Sequence, residues 1–132
     1  MSILDLSNLN IKDTADPIVI DADSEVEVRI IEVKMDTNKN GEPYILPRFE
    51  VVGEPLAKDF TKYLGLPTQK LDPKKFENAK RSLKNFGLCF DIDFDSPLDV
   101  NDMVGKTGWV ILGVETTDEY GDQNFIKKFV RN

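Results

Sequence analysis

Apolar and polar side chains alternate from "EVEVRIIEVKM", residues 25–35, where Val26, Val28 and Ile30 share one face, as the two-residue period of a strand requires. After Ile30 the phase slips by one, and Ile31, Val33 and Met35 carry the alternation on. One extra residue is the mark of a β-bulge, so the pattern predicts a long, strongly bent first strand suited to closing a barrel. "PYILPRFEVV" predicts a second strand, with Ile45, Phe49 and Val51 on one side and Tyr44, Leu46, Arg48 and Glu50 on the other. Pro47 has no N–H to offer a neighbouring strand, which predicts a bulge or an edge there. "KDFTKYLGLP" predicts a short third strand with Phe60 and Tyr63 as its apolar points.

The period then changes. In "LDPKKFENAKRSLKNFG" the apolar stripe is Phe76, Ala79, Leu83 and Phe86, the spacing of a helix face. Asp72 suits the N-cap, Pro73 the first turn and Gly87 the position just past the end, so the spacing predicts a helix over 73–86. Lys74, Lys75, Lys80, Arg81 and Lys84 cover its other face, the composition of a solvated surface. "FDIDFDSPLDVNDMVG" predicts an acidic loop, with Asp91, Asp93 and Asp95 alternating against Ile92 and Phe94 as in a half-exposed strand.

"TGWVILGVETTDEYGDQNFIKKFVRN" predicts strand, turn and strand. Val110, Leu112 and Val114 share one face of the fourth strand; Trp109, Ile111 and Gly113 share the other. In the fifth, Phe125, Lys127, Phe129 and Arg131 share a face of alternating rings and cations. Two readings stay open: the rings are core with Lys127 reaching to the rim, or they stack on bases while the cations meet phosphates. Trp109 likewise faces either the core or a ligand. Residues 1–24 are weakly patterned and acidic, and are expected to form an irregular arm or a short strand, with one apolar run at "PIVI".

Between the first two strands, "MDTNKNGEPYILPRF" carries Asp36, Asn38, Asn40 and Gly41 at the spacing that opens an EF-hand calcium loop. Position twelve of that loop, where the bidentate glutamate belongs, is Pro47, and both flanks alternate as strands rather than helices. The stretch is therefore expected to be a hairpin turn, with Asn and Gly supplying the backbone angles of a tight reversal.

The 132 residues are expected to form one domain, with no metal and no cofactor. Without histidine, the commonest general base and transition-metal ligand is missing, and the carboxylates are scattered, so no enzymatic activity is expected. Cys89 is the single cysteine, which excludes an internal disulfide and suggests a reducing compartment. No apolar run is long enough to span a bilayer, and the first residues lack a signal-peptide pattern, so no membrane association is expected. The net charge of −7 is uneven: residues 34–90 carry eleven bases and seven acids, while both flanks are acidic. A local positive surface on an acidic protein is compatible with a nucleic-acid partner.

Three strands, a helix and a hairpin is the element order of the OB-fold. The expected fold is mostly β: a five-stranded OB-fold Greek-key barrel with one main helix between the third and fourth strands, spanning 1–132. Through "NGEPYILPRFEVV", "YLGLP" and "DEYGDQNFIKKFV", the chain resembles small bacteriophage OB-fold proteins of the single-stranded DNA-binding, replication type, over roughly residues 25–130. That resemblance implies sequence-nonspecific binding of single-stranded DNA in phage replication or recombination, in the cytoplasm of an infected bacterial cell. Phage or host replication proteins and further copies of the chain are candidate partners. Many such proteins end in an acidic partner-recruiting tail, whereas this chain ends "KKFVRN".

Single-strand binding needs cations along the backbone path and exposed aromatic faces. The candidates are Lys34, Lys39, Tyr44 and Arg48 on the first hairpin, Lys62 and Tyr63 on the third strand, and Trp109, Phe125 and Lys127 on the last two. The competing reading is a protein-interaction module, an accessory protein or acidic DNA mimic, because an OB barrel by itself does not specify its ligand.

Overall fold

The computed structural model describes residues 2–130. An antiparallel sheet is built from β1 (Glu25–Thr37), β2 (Pro43–Val51), β3 (Phe60–Thr61), β4 (Leu64–Gly65), β5 (Thr107–Thr117) and β6 (Gly121–Phe129), with one α-helix, α1 (Pro73–Phe90), between β4 and β5. The hydrogen-bonded order is β3-β2-β1-β5-β6, with β4 also on β2. β3 lies beside β6, so the two ends of the open sheet approach each other.

The phase slip in β1 is a bulge. Ile30 pairs with Phe49 and Glu32 with Arg48, leaving Ile31 as the extra residue. The slip returns Val33 to the interior beside Val28 and Ile30. The bend also lets β1 serve two partners: residues 25–29 pair with β5, and 28–37 with β2.

Six strands stand where five were expected because the third is cut in two. β3 and β4 keep one register against β2, with Phe49 opposite Phe60 and Tyr44 opposite Gly65. The gap falls opposite Pro47. Lys62 donates its N–H to the Pro47 carbonyl at 3.1 Å, and the ring nitrogen has no hydrogen with which to reciprocate.

The helix runs four residues beyond the expected end, to Phe90, with Asp91 as a left-handed C-cap. Asp72 caps the start by accepting from Lys75 N–H at 2.9 Å. Gly87 is inside the helix rather than after it. A Cβ there would stand 2.8 Å from the Ile92 carbonyl oxygen and 3.2 Å from the Phe94 ring, so glycine serves a close approach. The last turn is retained because it buries Phe86, Cys89 and Phe90. Phe90 packs on Phe49 at 5.5 Å between centroids, and Phe129 meets Phe86 and Phe90 edge-on. The helix thus seals one end of the sheet's interior.

Residues 91–99 form no strand, contrary to the alternation of Asp91, Asp93 and Asp95. The Asp93 carboxylate instead accepts from Asp95 N–H at 2.8 Å, a local turn. In the arm, two 3-10 turns precede a single bridge of Ile18 to Ala57. No described helix is long and apolar enough to cross a membrane.

Candidate nucleic-acid interface

Cross-strand partners point to the same side of a sheet. The outer face of β1–β2 therefore carries the pairs Tyr44–Asp36, Leu46–Lys34, Arg48–Glu32 and Glu50–Arg29. Tyr44 and Arg48 are four residues apart on that face, roughly 13 Å at the rise of a strand. Tyr63, in the gap between β3 and β4, rises on the same side and stacks on Tyr44 with centroids 4.6 Å apart. Tyr63 is 50 % exposed, and Tyr44 half-buried behind it. Of the two rings, Tyr63 presents the more open surface.

The hairpin turn fixes this pair. Asn38 accepts from the N–H groups of Asn40 and Glu42 through its side-chain oxygen, and its carbonyl accepts from Gly41. Its side-chain NH2 donates to the Tyr63 hydroxyl at 3.2 Å. The side-chain oxygens of Asp36 and Asn38, which an EF-hand would aim at calcium, are here engaged by backbone amides, and strands flank the turn on both sides. Gly41 takes a φ of +77°, which only glycine adopts without strain. Lys39 is exposed on the turn.

At the other end of the face, Arg48 lines a cleft with Lys58, Tyr120 and Gln123, closed at its edge by Pro17 and Leu56. Lys58 Nζ donates to the Asp122 carbonyl at 3.1 Å, tying the 53–59 loop to the β5–β6 hairpin. Tyr120, at the tip of that hairpin, is 62 % exposed. Tyr120 and Lys58 thus border the Arg48 end of the outer face, and the Tyr44–Tyr63 stack stands towards its other end. Periodicity could not find Tyr120 or Lys58, because both stand in loops that only folding brings to β2. An aromatic at the tip of "DEYGD" was the available signal.

Phe125 lies two residues from Gln123 on the same side of β6. Its ring occupies the space over Gly113 where a Cβ would stand. It is half-buried.

The four-residue face of Phe125, Lys127, Phe129 and Arg131 does not exist as expected. Ile111 pairs with Lys128 and Leu112 with Ile126, so Lys127 is a bulged residue. Beyond the bulge the faces exchange, and Phe129 turns inward to the helix while Phe125 stays outward. Arg131 lies outside the described residues. Lys127 pairs with Asp23 at 2.7 Å and lines a separate basic groove with Lys62, Lys128, Ser82 and Asn85. Lys62, next to Tyr63 on an extended segment, points to the opposite side from it and is not part of the tyrosine surface. Trp109 is 44 % exposed on β5 opposite Glu27, away from the tyrosines and beside a carboxylate.

The charge on the outer face is balanced. Arg29 pairs with Glu50 at 2.7 Å, and Glu32 stands 3.6 Å from Lys34 and 3.8 Å from Arg48. These exposed pairs are individually weak. They still offset much of the local positive potential, so aromatic area is this surface's main resource. Among the described residues, no three carboxylates or cysteines converge as a metal site. No known protein-family model matches the chain, and no curated protein sequence matches it significantly.

Proposed function

We propose that this chain is a sequence-nonspecific single-stranded DNA-binding protein built on an OB-type barrel. The observation that carries the reading is the stacked, solvent-facing pair Tyr44–Tyr63 on the outer face of β2, which runs on through Arg48 to a cleft bordered by Lys58 and Tyr120. Every base has a π-face, so stacking rings hold single strands without reading sequence, at about 1–3 kcal/mol per base. The barrel reading is supported by the bulged β1 shared between two halves of the sheet and by the approach of β3 to β6. The order of α1 along the chain, after the interrupted third strand and before the last hairpin, supports the same reading. A role in phage replication or recombination rests on the sequence resemblance alone.

Lys34, Lys39, Arg48 and Lys58 are four cations on or beside this surface. If each met one phosphate, the slope of log affinity against log salt would be about −3, at roughly −0.7 per contact. The expected behaviour is therefore aromatic-dominated binding of modest salt dependence. Fluorescence titration with a poly-dT oligonucleotide at two salt concentrations tests it, and an absence of binding at low salt refutes it. The ion pairs Arg29–Glu50 and Glu32–Arg48 favour a second reading, a protein-interaction module with no affinity for the oligonucleotide.

A further inference from the structure

Residues 2–18 are exposed throughout, and the hydrogen bonds of residues 2–14 stay inside the segment. Yet this arm is not a simple polar tail. Ile3, Leu4, Leu6, Leu9 and Ile11 recur along it, with Ile3 84 % and Leu4 81 % exposed. Five large apolar side chains in one short solvent-facing stretch cost hydration free energy unless another surface covers them.

A surface of matching character lies on the far side of α1. Leu83, Leu88, Ile92 and Phe94 line an open groove between the C-terminal half of the helix and the loop after it. Gly87 lets Phe94 lie directly on the helix backbone and so shapes the floor. Leu88 and Phe94 remain substantially exposed. The two lips carry opposite charge: Lys80 and Lys84 on the helix, Asp93 and Asp95 on the loop. The arm has both complements, with Asp5 between Leu4 and Leu6, and Lys12 beside Ile11.

We propose that the N-terminal arm of one molecule docks in this groove on a second copy of the chain. Ile3, Leu4 and Leu6 cover Leu88 and Phe94, Asp5 faces Lys80 and Lys84, and Lys12 faces the acidic lip. The arm does not lie on its own molecule's groove, since all its residues are exposed. Fifteen residues reach up to about 50 Å when extended, enough to cross to a neighbour. Arm-into-groove contact joins unlike surfaces, so reciprocal exchange gives a twofold dimer and one-way exchange gives a ring or an open chain. This proposal is independent of the nucleic-acid reading, because the groove is separate from the tyrosine surface.

Sedimentation velocity without nucleic acid tests it. The wild-type protein is expected to self-associate as concentration rises. Deleting residues 2–13, or changing Leu88→Asp, is expected to leave a monomer. Mixing those two variants is expected to restore a heterodimer and nothing larger, because one arm and one compatible groove remain. Lys84→Glu and Asp5→Lys should each weaken wild-type association severalfold and together recover it, a check that also serves if Leu88→Asp fails to fold. A wild-type protein that stays monomeric, including one whose arm covers its own groove, overturns the proposal. So does association that survives either variant, or a mixture that remains monomeric.

Discussion

Asn124 is buried near the middle of β6, and its amide is fully used. Its side-chain oxygen accepts from Ile20 N–H at 2.8 Å, and its NH2 donates to the carbonyls of Ile20 and Gly113 at 2.8 and 3.1 Å. One side chain thus ties the segment before β1 to the last hairpin. Asn124→Ala leaves three backbone groups without this partner, and chemical denaturation is expected to show a loss of about 2–3 kcal/mol. The tyrosine surface makes a prediction of a different kind. Tyr63→Ala is expected to weaken oligonucleotide binding by about 1–3 kcal/mol with little change in salt slope, because stacking releases few ions. Arg48→Ala is expected to lower that slope by roughly 0.7, the value for one lost phosphate contact on a single strand. Titration of both folded variants at several salt concentrations checks the pair, and unchanged affinity in both moves the site elsewhere.

Two elements owe their limits to single residues. The interruption between β3 and β4 faces Pro47, whose missing N–H leaves the exchange with Lys62 half made. Pro47→Val supplies that donor without adding much volume. β3 and β4 are then expected to join into one strand, detected by hydrogen exchange as a protected amide at position 47. Helix α1, by contrast, passes through a glycine because tertiary contact favours it. Alanine is the better helix former by about 1 kcal/mol, yet a Cβ at position 87 meets the Ile92 carbonyl. Local preference would end the helix there; burial of Phe90 and Cys89 carries it on.

At the scale of the whole molecule, burial is gathered between helix α1 and the inner face of the sheet, while charge is spread over the surface. The basic middle of the chain divides between the solvent face of α1, the first hairpin and Lys62, which meets Lys127 and Lys128 of the C-terminal flank in a separate groove. Its positive charge is therefore spread over several surfaces rather than gathered in one channel. Cys89 lies inside, between helix and sheet, its Sγ 3.2 Å from the Trp109 carbonyl. Burial pushes the thiol up from 9.0 to about 11. The native state keeps this proton where the unfolded chain releases it, so this group's contribution lowers stability as pH rises from 9 towards 11. Alkylation requires the thiolate. Native Cys89 is expected to react with iodoacetamide far more slowly than the denaturant-unfolded chain, and equal rates would contradict its burial.

Strand period, helix period and turn chemistry act over a few residues, and what depends on them was legible in the chain itself. The bulge after Ile30 in β1, the cap at Asp72, the hairpin turn at Asn38–Glu42 and the mostly β character all follow from local pattern. The candidate surface was legible in part: Tyr44 and Arg48 share a face by period alone. Contacts distant in sequence decided the rest. The second bulge, at Lys127, has no mark in a run of alternating rings and cations, and it sends Phe129 to the core while Phe125 stays outside. Lys62 leaves the tyrosine surface for a groove it lines with Ser82 and Asn85 of the helix and Lys127 of β6. Tyr120 joins the surface only through a loop that β2 meets after folding. Side-chain period fixes which residues share a face; which face meets the interior is set by the partner that buries it, and that partner is known only from the tertiary structure.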